Sequence, residues 1–208
     1  MKKHTLLPAL LTAALLCSCG GGLVTLKYED GLFVNKSKDY AYVPADITYE
    51  PTEMGEAYAY YKKADLTLYA IGVNDPALWL TEAYAGGATT VFHNESITLP
   101  TLAEFGAEKI LVCTSELRTV VNYEITDAKM IAEAVRLFTE GEACEWPLID
   151  STLRFELKFA SSAWPQIHYN LIYGEFPEGD FLYERAGGRC VRVDGFFDEL
   201  FHPDEVKK

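Results

Sequence analysis

Leu153-Arg154-Phe155-Glu156-Leu157-Lys158-Phe159 is the stretch that decides the fold. Every odd position is apolar and every even one is charged. Side chains on a β-strand point alternately to opposite faces, so this pattern describes a strand with one face in a core and one in water. Upstream, residues 128–140 follow a different period. Met130, Ile131, Ala134, Val135, Leu137 and Phe138 fall on one side of a helical wheel, and Lys129, Glu133, Arg136 and Glu140 fall on the other. That is an amphipathic helix with one buried stripe. Thr126 or Asp127 is placed to cap its start, and Gly141 stands just past its end.

Working outward from this pair, residues 119–125 alternate as a strand before the helix. Residues 166–173 alternate after it, with Ile167, Tyr169, Leu171 and Tyr173 on one face and His168 and Asn170 on the solvent face. Residues 181–185 and 189–193 flank Ala186-Gly187-Gly188 and read as a hairpin. A short helix at 196–201 closes the chain. The second half is therefore strand, helix, then a four-stranded meander. A helix stripe and the inward faces of a sheet leave water only by packing on each other, which predicts an α+β fold of antiparallel sheets with few helices.

The first half is richer in strands. Its tyrosines at 28, 40, 42, 49, 58, 60 and 61 lie in short alternating pieces broken at Asp30-Gly31 and near Pro44 and Pro51. Strands are expected at 66–71, 78–84, 89–93 and 109–114, with a helix or helical turn at 99–105. Halves at 23–117 and 118–208 are one way to divide the folded chain.

The N-terminus has a separate meaning. Lys2 and Lys3 precede an apolar run at 6–16, and Leu16-Cys17-Ser18-Cys19 follows. The run is too short for a membrane-spanning helix, which needs about 20 residues. A charged start, a short apolar core and a small-residue cleavage site describe a removable signal peptide over residues 1–18. The cleavage site favours Cys19 as the lipid-attachment residue, because Ser18 before it is small whereas Leu16 before Cys17 is bulky. Residues 19–22 would then be the acylated cysteine and a glycine tether, with an acidic domain at 23–208. Stable anchoring takes more than one acyl chain, such as palmitate, and a diacylated or triacylated Cys19 meets that need. The expected location is the extracytoplasmic face of the cell membrane.

Charge narrows the partners. The chain carries 18 Lys+Arg against 31 Asp+Glu, a net −13. Losing Lys2 and Lys3 with the leader lowers this to −15. Nucleic acid requires a basic footprint, so it is excluded as a partner. The same balance argues against the domain lying flat on anionic lipid. Apolar residues make up 49% of the chain, enough for a sizeable core.

Chemistry-bearing motifs are sparse. The sequence holds no Gly-x-Ser-x-Gly elbow, His-Glu-x-x-His pair, phosphate-binding loop or EF-hand loop. Neither metal nor cofactor is expected. Asp75 and Glu82 flank Trp79, so a carboxylate pair beside a Trp79–Tyr84 stacking surface is the candidate glycan-hydrolysing site. Trp146 and Trp164, each before a proline, are candidate contact residues or covers for the sheet. His93, beside Asn94 and Glu95, is the candidate functional histidine, while His168 and His202 are expected at the surface. Cys113 reads as core, and Cys144 and Cys190 as a pair able to bridge in an oxidising exterior.

The Cys19 signal, Ile125-Thr126-Asp127 opening the helix, residues 153–159 and 169–173, and the Gly179-Asp180…Gly188-Arg189 hairpin together resemble small cell-surface lipoproteins of uncharacterised function from Gram-positive bacteria. The resemblance covers the signal and roughly residues 119–201. It implies an extracytoplasmic α+β domain and carries no site to transfer. The expected role is a non-catalytic binding module whose partner is an envelope protein, a peptide or a glycan. A carboxylate-dependent hydrolase of wall or dietary glycans is the alternative, and a regulator or inhibitor of a surface enzyme is a third.

Overall fold

The computed structural model describes residues 22–84, 87–115 and 119–203. Cys17, Cys19 and the rest of the expected leader lie outside them. The first half contributes β1 (Val24–Thr25), β2 (Lys27–Glu29), β3 (Leu32–Asn35), β4 (Tyr40–Pro44), β5 (Tyr49–Pro51), β6 (Met54–Tyr61), β7 (Leu66–Ile71), β8 (Trp79–Tyr84) and β9 (Gly87–Asn94). A single 3-10 turn, Lys62–Ala64, joins β6 to β7. The second half adds β10 (Lys109–Ser115), β11 (Thr119–Ile125), α1 (Ala128–Glu140), β12 (Leu153–Ala160), β13 (Ile167–Phe176), β14 (Gly179–Tyr183), β15 (Cys190–Arg192) and α2 (Asp198–Phe201). The fold is α+β and strand-rich, with antiparallel sheets and, among the described residues, two helices. Among the described residues no helix is long and apolar enough to cross a membrane.

The first sheet runs β1-β6-β7-β8-β9-β4-β3-β2. Its strands pair antiparallel except β1 with β6, which are parallel. β1 and β2 stand at opposite edges, yet only Leu26 separates them in the chain. The sheet must therefore roll until its two edges meet, as in a barrel. Ring contacts record the closure: Tyr28 on β2 lies 6.1 Å from Tyr61 on β6. Phe33 touches both Tyr61 and Phe92. Inside the roll, Leu26, Phe33, Tyr42, Leu68, Leu80 and Phe92 form one apolar cluster.

The second sheet runs β11-β10-β12-β13-β14-β15, and β5 adds to β13 beside β14. β13 is long enough to serve both neighbours. Its residues 167–169 pair with β5, and residues 172–176 pair with β14. This register ties the two halves together. A division at 117/118 would also cut the β10–β11 hairpin. The largest core cluster draws Trp79, Ile71 and Val91 from the first sheet together with Phe155, Leu157, Phe159, Tyr169 and Leu171 from the second.

The expected helix spans the expected residues. Asp127 caps it, its Oδ1 accepting from the N–H groups of Lys129 and Met130 at 2.9 Å each. Ile131, Ala134 and Phe138 are fully buried, and burying each large side chain is worth about 1.5–3 kcal/mol. Gly141 stands just past the helix end, as expected. Its backbone is extended, not left-handed. A Cβ there would stand 2.3 Å from the Leu137 carbonyl oxygen. The orphan carbonyls are satisfied by Arg189, which donates to Phe138, Thr139 and Gly141 oxygens. Residues 99–105 form turns, not a helix: Glu104 closes one onto Thr101, and Gly106 follows with φ +66.

Candidate functional site

The alternating strand that fixed the fold departs from expectation on its polar side. Lys158 is only 5% exposed. Its Nζ lies 2.6 Å from Glu50 Oε1 on β5 and 3.8 Å from Glu156 Oε2. Arg185, just after β14, reaches Glu156 Oε1 at 3.3 Å. The four charges form a chain, carboxylate and cation alternating. A buried cation left unpaired would be expensive, so Lys158 is kept only by its two carboxylates.

Register explains the convergence. Lys158 sits opposite Asn170 on β13, and Glu50 opposite His168. All four share one face. His168 is thereby half-buried, not on an open surface. Burial, and then the Lys158 charge, push its pKa down from 6.5 to about 4. Cys113 stands opposite Glu156 on β10 and is fully buried, in line with its core reading. Burial pushes its thiol pKa up.

Above this face opens a cavity of about 280 Å³. Asp46, Glu50, Thr90, Glu156, Asn170 and Arg185 give it polar walls, with Tyr49 and Ile47 beside them. Its wall is built from six separate segments of chain. Among the described residues, Asn170 Oδ1 is buried there without a hydrogen-bond partner. An orphaned acceptor in a polar cavity is a position where a ligand donor gains a bond it cannot gain elsewhere.

The residues singled out from sequence do not gather here. Trp79 is buried, edge-on to Trp164 and beside His93, so it is core. The Tyr84 side chain lies outside the described residues. Asp75 caps its own turn through the Ala77 N–H, and Glu82 accepts from the Thr90 hydroxyl at 2.6 Å. The proposed stacking surface with a carboxylate pair is therefore not formed by Trp79. His93 Nδ1 contacts the Asn94 carbonyl oxygen, and burial pushes its pKa down. His202 is half-buried and meets Glu175 at 2.8 Å. Trp146 packs among Phe176, Phe181 and Tyr183, and Trp164 stacks on Phe105. Both cover the sheet rather than project from it.

Cys144 and Cys190 are free, with their sulfurs 3.4 Å apart and the Cys144 N–H donating to the Cys190 carbonyl. Among the described residues no group of three His, Cys, Asp or Glu side chains converges to hold a metal ion. The chain matches no protein-family model, no curated protein and no solved structure.

Proposed function

We propose that the protein is a lipid-anchored, extracytoplasmic binding module of the bacterial envelope, taking a small polar ligand in the Glu50–Arg185 cavity. The observation that carries the reading is that Glu50 and Glu156 are ion-paired, while the third cavity carboxylate, Asp46, accepts from the Thr48 N–H at 2.8 Å. Acid–base hydrolysis of a glycan needs one carboxyl group to give up a proton and a second to act as base or nucleophile. Glu50 and Glu156 instead share the buried Lys158, and Arg185 holds Glu156 from its far side. Such an array positions hydrogen-bonding groups and leaves Glu50 and Glu156 tied to cations rather than free as an acid–base pair. The volume, about 280 Å³, lies at the small end of ligand pockets. It suits one sugar ring or an amino-acid-sized group, alone or at the end of a wall glycan or peptide. Residues 1–19 support the anchor and the location.

Thermal shift of the purified chain against monosaccharides, amino acids and muropeptide fragments tests the cavity. A ligand at a hundredfold its Kd stabilises by about 2.7 kcal/mol, and Tm should rise by roughly 5–10 °C. Asn170→Leu should abolish that rise. Release of product from muropeptides or reporter glycosides, lost in Glu156→Gln, would establish the hydrolase instead. Mass spectrometry of the mature N-terminus tests the anchor: an acyl-modified start at Cys19 is expected, and an unmodified start elsewhere removes it.

A further inference from the structure

The second feature of the molecule is the seam where the edges of the rolled sheet meet. A groove of about 510 Å³ runs along it, walled by Leu26, Lys27 and Tyr28 on one side and Tyr61, Lys62 and Lys63 on the other. The three lysines are exposed. None of them forms an ion pair among the described residues, whereas Lys36, Lys109, Lys158, Arg136, Arg185 and Arg192 do; Lys38, Lys129, Arg154 and Arg189 form none either, but only the seam brings three such cations to one groove. Two nearby acids, Glu29, which also lines the groove, and Asp65, are already engaged. Glu29 is bound to Lys36 at 2.7 Å, and Asp65 accepts from the Tyr60 hydroxyl at 2.8 Å. A protein of net charge −13 thus gathers unpaired cations and half-open tyrosines at one place.

That place adjoins the tether. β1 begins at Val24, forms one wall of the seam and pairs with β6 just before Lys62 and Lys63. From Cys19 to Val24 is five residues, a span of at most about 17 Å when fully extended. We infer that the seam groove docks on the anionic phospholipid headgroups of the membrane that holds the anchor; the inference rests on the lipid anchor proposed above. Phosphate oxygens suit the lysine ammonium groups, and tyrosine rings favour the boundary between headgroup and acyl chain. The overall acidity does not prevent this. At physiological salt, charges beyond about 8 Å are largely screened, so the lipid surface meets the local lysines before the distant acids. Each lysine near an anionic surface strengthens binding roughly fivefold, so three give about 100-fold. Docking would hold the domain in one orientation instead of letting it swing on its glycines.

Every described strand and helix and all three core clusters lie within residues 24–201. A chain beginning at Gly20 therefore carries the whole core and no lipid. Its co-sedimentation with vesicles containing phosphatidylglycerol should be about 100-fold stronger than with pure phosphatidylcholine. High salt should abolish the difference, and so should the variant Lys27→Glu/Lys62→Glu/Lys63→Glu. Unchanged near-ultraviolet circular dichroism of that variant shows that it has folded. Equal partition to both vesicles, or equal binding by the variant, overturns the inference. So does saturable binding of inorganic phosphate without vesicle binding. An unacylated N-terminus would remove the anchor, but it leaves the vesicle result standing, so the two failures are distinguishable.

Discussion

Lys158 and Lys62 are the same side chain in opposite circumstances. Lys158 is sealed between two carboxylates contributed by β5 and β12. Lys62 stands exposed on a 3-10 turn, and among the described residues no carboxylate is bound to it. The first charge is satisfied inside the fold and serves the shape of a cavity. The second has its electrostatic partner still to meet. Among the described residues the fold thus holds some cations with its own carboxylates and leaves others, those of the seam included, open to the surroundings. Stability should therefore follow the buried lysine, and surface behaviour the open ones.

The largest effect should come from Lys158→Met. It leaves Glu50 and Glu156 facing each other in a half-closed site without their shared cation. Breaking a buried pair from one side costs about 3–5 kcal/mol, read as a lower midpoint in urea. Adding Glu50→Gln to the same chain should restore part of the loss, because it removes the stranded charge; no recovery would mean that packing, not charge, was lost.

His168 belongs to the same buried face and gives a pH test. Its folded pKa is held near 4 by burial and by Lys158, below the ordinary 6.5. Above pH 6.5 neither state binds the proton, and the contribution is fully present. Between 6.5 and 4 only the unfolded chain takes it up, so stability falls as pH falls. The loss should reach about 2 kcal/mol after allowance for residual solvent contact. Urea titrations at both ends of that window should show a shallower pH dependence for His168→Gln. An identical slope would place the imidazole in water.

What the sequence made legible follows from the range of the interactions. α1 and β12 are written in local periods, and the structure has both at the expected residues. The buried state of Lys158 is not local: Glu50 lies 108 positions away and arrives only because β5 adds to β13. An alternating strand shows which residues share a face, but not whether that face will be covered. His168 was misplaced for the same reason. The seam groove is equally hidden, since Lys27 and Lys62 become neighbours only when the sheet rolls shut. Gly141 marks the helix end in the sequence, but the Arg189 that satisfies the last carbonyls comes from a distant hairpin and leaves no local signal.

Asp127 stands between the two lysines in circumstance. It is exposed, yet its carboxylate accepts two backbone N–H groups of the first helical turn. Asp127→Ala should lower stability by about 1 kcal/mol, and Asp127→Asn by less. Lys62→Ala with Lys63→Ala should change it by less than about 0.5 kcal/mol, since nothing in the fold holds either ammonium group. A urea midpoint for this double variant as low as that of Asp127→Ala would show that the open lysines support the roll. The contrast between satisfied and unsatisfied charge would then have to be redrawn around the seam. A midpoint unchanged from the parent chain, beside a weakened hold on anionic vesicles, leaves the lysines with a task only outside the fold.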